Sequence, residues 1–287
     1  MEGPARGRLS GLVVTVALVM AYPWTAASAS VGSTEQSGAF ALLGGTPKIV
    51  SKFWAEHGNG LTATLKIRQF RLDGTTPILD YDVDMQRLMH VVIVRDDFAT
   101  FDHLHPSFDA TTGTFSQAFT KAPNHRYYVY ADSTPHGIGQ QVFRFVIESD
   151  GPIADSIPSL SASATTAVAG AYTVTVGRTT LPANSPLSLN VTIRKNAQPA
   201  RDLKPYLGAA AHVVFISTSA LAYVHVHPAV LGAAPMTMSN GMAMSGEAGP
   251  FLQAELPPLP AGAYKAWIQF MGANDALYTA GFTLVAR

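Results

Sequence analysis

Six of the nine histidines in this 287-residue chain fall into two copies of one pattern, in which a histidine opens an apolar run and a His-x-His-Pro follows thirteen residues later. The first copy, HVVIVRDDFATFDHLHP, carries His90, His103 and His105; the second, HVVFISTSALAYVHVHP, carries His212, His225 and His227. Imidazole nitrogens bind transition metals at about 2.0 Å, so three rings held on one rigid face with a coordination position left open would form a metal site. A hairpin supplies that face. With a turn at Asp96-Asp97, His90 pairs directly with His103, and the two-residue period of a strand puts His105 on the same side. A turn at Thr218-Ser219 does the same for His212, His225 and His227. A loop of odd length would throw the first histidine of each set to the opposite face. The competing reading is structural, with rings bonded to backbone at strand ends and repetition reflecting duplication alone. Equivalent placement in two copies whose neighbouring residues mostly differ favours ligation.

The choice of metal follows from the other soft side chains. There is no cysteine, which excludes disulfides, thiolate zinc sites, iron–sulfur clusters and cysteine nucleophiles. The segment PMTMSNGMAMSG within loop 235–246 supplies Met236, Met238, Met242 and Met244. Thioethers are soft ligands that suit Cu(I), whereas carboxylate clusters of the kind calcium or magnesium needs are absent. Copper, as Cu(I) or Cu(II), is the metal expected, with zinc as the alternative. His57, His125 and His136 have no counterpart in the other copy and are expected to be ordinary surface or loop residues, His136 reaching the first triad only if its loop folds over it. Asp102 points away from His103, and Met85 and Met89 are expected in the core.

The elements that must position these residues are short β-rich runs. LTATLKIR from Leu61 corresponds to LSLNVTIR from Leu187, and Phe115 with Gln117-Ala118 corresponds to Phe251 with Gln253-Ala254, so the repeat extends well beyond the histidines. Six or seven such runs in about 100 residues indicate an all-β chain of two tandem antiparallel β-sandwich domains, immunoglobulin-like or cupredoxin-like. Short helical turns are expected at VDMQRLM and DLKPYLG. The boundaries read as a signal peptide over 1–29, a flexible lead-in over 30–46, a first sandwich over 47–148, a Pro/Ser/Ala-rich linker over 149–170 and a second sandwich over 171–287.

Arg6 and Arg8, the apolar stretch from Gly11 to Tyr22, Pro23 and Ala27-Ser28-Ala29 together form the pattern of a secretory signal. The apolar stretch is shorter than the roughly 20 residues that span a bilayer, so a periplasmic or secreted protein is expected, with an uncleaved N-terminal anchor as the alternative. Nineteen basic against nineteen acidic residues give no net charge, and no electrostatic case for nucleic acid or an anionic membrane as partner. The expected partners are a metal ion and a periplasmic protein that delivers or receives it.

At HLHP and HVHP the chain resembles a loose set of bacterial exported proteins, largely uncharacterised, with duplicated His and His-x-His-Pro domains. The resemblance covers both repeats and implies exported metal handling; a copper chaperone, buffer or resistance component is the function expected from the histidines and methionines themselves. Cupredoxins and multicopper oxidases also carry His-x-His on sandwich domains, but the blue-copper centre needs a thiolate that this chain lacks. No G-x-S-x-G elbow, phosphate loop or His-Glu-x-x-His helix is present, so no catalytic residue is assigned. The alternatives are a non-catalytic binding or adhesion module with structural histidines, and an oxidase or dismutase using an open copper position.

Overall fold

A computed structural model describes residues 1, 35–58, 61–153, 158–232 and 247–287, together with the short strands Met236–Thr237 and Ala243–Met244. The expected signal peptide and the first residues of the lead-in lie outside the described residues, as do residues 154–157 of the linker. No helix among the described residues is long and apolar enough to cross a membrane.

The chain is all-β. Eight strands carry the argument: β1 (Met89–Arg95), β2 (Phe101–Leu104), β3 (Arg126–Pro135), β4 (Gln141–Glu148), β5 (His212–Ser217), β6 (Tyr223–Val226), β7 (Gly262–Met271) and β8 (Leu277–Ala286). In the first repeat they form a sheet in the order β4-β3-β1-β2, and in the second β8-β7-β5-β6, so the two sheets have one topology. A further sheet in each repeat closes a sandwich. That of the first contains Val50–His57, Thr62–Phe70 and Thr114–Thr120; that of the second contains Tyr172–Val176, Leu187–Lys195 and Phe251–Leu256.

Each sandwich has its own apolar core, and a third core lies between them. Met89, Val91 and Ile93 of β1 face the first sandwich's core, whereas Val92 and Val94 join Tyr128, Tyr130, Val214, Ile216, Tyr223 and Trp267 in the third. In β5, Val213 and Phe215 face the second sandwich's core while Val214 and Ile216 face the third. The runs HVVIV and HVVFI are therefore apolar on both faces because both faces are covered. Each of these aliphatic side chains contributes about 1.5–3 kcal/mol by leaving water.

Contacts across the third core are reciprocal. Val92 is the ladder partner of both His103 and Tyr130, and Val214 of both His225 and Trp267, so Tyr130 and Trp267 hold equivalent positions. Phe101 stacks on Trp267 with ring centroids 5.0 Å apart, and Tyr223, its repeat counterpart, stacks on Tyr130 at 5.2 Å. Contacts that recur with the roles of the repeats exchanged are those of an approximate two-fold relation.

Three local expectations change. The lead-in contributes strands, with Ala39–Phe40 pairing β4 and Tyr223 bonded to the backbone of Ala41 and Leu43, and Thr166–Ala169 of the linker is a strand of the second sandwich. VDMQRLM and DLKPYLG form tight turns rather than helical ones. Asp84 and Arg87 exchange backbone hydrogen bonds of 2.9 and 2.8 Å around Met85 and Gln86, both at positive φ, and Tyr206 and Ala209 do so around Leu207 and Gly208.

Candidate metal centre

The hairpin registers differ from the expected ones by two residues and keep their parity. Val92, not His90, pairs with His103, and Val214, not His212, pairs with His225. The loops are longer because Phe98 and Leu221, at φ 56° and 54°, turn inward and pack in the third core. An even shift leaves all three histidines of each repeat on one face. His105 and His227 fall just beyond β2 and β6, each followed by a proline that has no N–H to continue a ladder.

That face is the one turned toward the other repeat, so the two triads, expected as separate sites, meet in a single cluster. Ring centroids within the first triad lie 4.8–5.1 Å apart and within the second 4.5–5.5 Å. Across the boundary the separations are as short: 5.2 Å for His103 and His212, 5.4 Å for His90 and His225, and 5.5 Å for His103 and His225. Two sets of three, His90 with His103 and His105, and His103 with His212 and His225, have ligand nitrogens all within 4.8 Å of one another. Buried histidines grouped in this way could hold a metal ion.

The hydrogen bonds fix the tautomers of His90, His103 and His212, because a carbonyl oxygen only accepts, and that of His225 when Asp132 is ionised. His90 donates through Nε2 to the Asp84 carbonyl at 3.1 Å, and His212 through Nε2 to the Tyr206 carbonyl at 3.1 Å. These carbonyls belong to the two tight turns, whose αL residues other than glycine cost about 1–2 kcal/mol each. His103 donates through Nδ1 to the Gln269 amide oxygen at 3.0 Å, and His225 through Nδ1 to the Asp132 carboxylate at 3.3 Å. Asp132 and Gln269 are ladder partners of His90 and His212, so each repeat orients a histidine of the other.

With those protons placed, the remaining nitrogens are bare and face each other. His90 Nδ1 lies 3.0 Å from His103 Nε2, and His212 Nδ1 lies 3.3 Å from His225 Nε2. Two lone pairs at that distance repel unless a cation sits between them. Two nitrogens bound to one tetrahedral ion at about 2.0 Å stand about 3.3 Å apart. His105 Nε2 and His227 Nε2 are buried with no hydrogen-bond partner at all.

Burial holds all six rings below the ordinary histidine range. His90 is lowered to about 4 and His105 and His227 to about 3, with His103, His212 and His225 also well below 6.5; neighbouring rings push several of them in the same direction. They are therefore neutral, which is the ligating form. Burial pushes Asp132 the other way, up to about 7, against the hydrogen bonds of 2.9 and 3.1 Å from Gln140.

Asp132, Gln269, Asp84 and Tyr206 were not singled out in the sequence. The signal for two of them was a polar residue set among apolar and aromatic ones, Asp132 in YYVYADS and Gln269 in KAWIQF. The other three histidines stand apart, with His125 on Asp96 at 2.9 Å, His136 exposed on Asp82 at 2.6 Å, and His57 ending its own strand. Met89 packs in the first core. Met236 and Met244 are partners in a short antiparallel pair, and Met238 and Met242 lie outside the described residues.

Residues 166–287 match a family described as a domain of unknown function, DUF8832. That span holds β5 to β8 and the second triad. Comparison with curated proteins gave no match.

Proposed function

We propose that this chain is an exported copper-binding protein, acting as a chaperone, buffer or resistance component, whose metal centre is the six-histidine cluster. The observation that carries this reading is the pair of bare nitrogens facing each other in both repeats, 3.0 and 3.3 Å apart, each ring locked in the ligating tautomer by a partner on its far side. Outer partners of this kind accompany metal-bound histidines and orient them. A structural fastener would instead place a donor against an acceptor. Copper over zinc rests on the thioethers of Met236, Met238, Met242 and Met244, and export rests on the N-terminal sequence pattern.

The test is elemental analysis of the protein freed of residues 1–29, after dialysis against copper and zinc and then against a weak chelator. Copper retained near stoichiometrically by the parent and lost from a His103→Ala, His225→Ala variant is the expected result. Equal metal content in both proteins would overturn the reading and leave a binding module with structural histidines.

A further inference from the structure

We propose that the six histidines form one dinuclear centre shared by the two repeats, with three imidazoles for each metal ion and a small anion bridging the pair. The inference rests on the metal-binding reading above and concerns how many ions are held and what joins them.

Six nitrogens are free to bind: His90 Nδ1, His103 Nε2, His212 Nδ1 and His225 Nε2 by their hydrogen-bond partners, and His105 Nε2 and His227 Nε2 by having none. One tetrahedral ion uses four ligands and would leave two of these buried and bare. One octahedral ion would need all six nitrogens within about 4.2 Å of one another, twice the metal–nitrogen bond. Among the described residues, the sets that converge within 4.8 Å are triads, not a set of six. Two ions with three imidazoles each use every free nitrogen.

The ions must also be neighbours. His103 belongs to both converging triads, so the two positions share a ring at their border. The second converging triad takes His103 rather than His227; when His103 serves the first ion, His227, whose ring centroid lies 4.5 Å from His225 and 4.8 Å from His212, must turn its nitrogen inward to complete the second. Paired metal ions that act on one ligand stand about 3.5–4 Å apart.

Charge supplies the reason for a bridge. Six neutral rings bring no charge of their own to offset two cations, leaving only the Asp132 carboxylate bonded to His225, and an anion held between the ions lowers their repulsion. Arg87 adds a positive charge that bears electrostatically on His90, His105 and Tyr206. The site therefore suits a small anion such as hydroxide, for which azide is a probe.

Titrating the metal-free protein with Cu(II) is expected to saturate at two ions per chain. Electron paramagnetic resonance of the loaded protein should then give far less signal than two isolated ions, because a bridging anion couples their spins. Azide should add a charge-transfer band that saturates at one azide per two coppers. A His227→Ala variant should hold one ion and regain its full signal. Saturation of the parent at one ion, or two ions with undiminished separate signals, would overturn the dinuclear proposal while leaving the metal-binding reading intact. No retained copper would overturn both.

Discussion

His103 of the first repeat donates its Nδ1 proton to Gln269 of the second across a 3.0 Å hydrogen bond, and His225 of the second returns the relation to Asp132 of the first at 3.3 Å. The partners are equivalent in position and differ in charge. Ligand orientation in either repeat therefore depends on the docking of both, which ties the metal centre to the third core.

Replacing Gln269 by Leu leaves His103 Nδ1–H buried without an acceptor. The expected loss of stability is about 1–3 kcal/mol. Loss of an outer partner should also cost about 10–100-fold in copper affinity. Denaturant midpoints and a competition titration measure the two effects. Gln269→Glu, which restores an acceptor, should recover the affinity; a Gln269→Leu protein that binds copper as the parent does would show that the bond does not orient the ligand.

His105 and His227 distinguish ligation from structural support. Their Nε2 atoms have no partner to lose, so His105→Phe and His227→Phe remove a buried unsatisfied group while keeping a ring. Metal-free stability should hold or rise by about 1 kcal/mol. Copper retention against a fixed chelator should fall by at least about tenfold, the smaller loss seen when even an outer partner is removed. Lower stability with unchanged copper would identify the rings as fasteners.

The six lowered pKa values give the metal-free protein a stability that depends on pH. Between the unfolded histidine value of about 6.5 and the lower folded values, the unfolded chain binds more protons, so stability increases with pH. The contribution is complete above about pH 6.5 and is lost as pH falls toward the value of about 4 that holds for His90. Each pKa unit between the two states is worth about 1.4 kcal/mol. Asp132, raised to about 7, acts in the opposite direction, as do Asp84 and Asp102, raised by burial, and His136, raised by Asp82; the six rings outnumber them. Unfolding free energies at pH 7.5, 6 and 5 should therefore decrease in that order. A flat profile would mean that the rings are hydrated rather than sealed between the repeats.

Strand parity made the histidine face legible in the sequence, and it survived a register error because both loops grew by an even number. Phe98 and Leu221 caused the error. Each is an apolar residue at positive φ, which turn chemistry disfavours and packing in the third core imposes. The meeting of the two triads was encoded less directly. HVVIV and HVVFI are apolar on both faces, which calls for a layer on each side, but period-two patterning does not say which layer. Asp132 and Gln269 were hidden for the same reason, since their partners lie 93 and 166 residues away.

Trp267 tests whether that third core supports the site. It is 4% exposed and stacks on Phe101, so Trp267→Ala should cost about 3–5 kcal/mol. Phe53, 1% exposed within the first sandwich, should cost a similar amount when replaced by Ala. Copper affinity separates the two. Trp267→Ala loosens the contact that sets His103 against Gln269 and should weaken binding, whereas Phe53→Ala should not at temperatures where the protein stays folded. Equal affinity in both variants would uncouple the metal centre from the docking of the repeats.

The methionines address oxidation state. Imidazole accepts Cu(I), Cu(II) and Zn(II), whereas a thioether discriminates in favour of the soft Cu(I). Leu in place of Met236, Met238, Met242 and Met244 keeps apolar bulk and removes only the sulfur. If these sulfurs serve copper, the four-fold variant should retain the parent's Cu(II) and Zn(II) stoichiometry and lose Cu(I) capacity or affinity in a competition assay under reducing conditions. Unchanged Cu(I) binding would assign all the metal chemistry to the histidines and make the methionines an apolar loop. Loss of every metal alike would point to a folding defect, which the denaturant midpoint of the same variant would reveal.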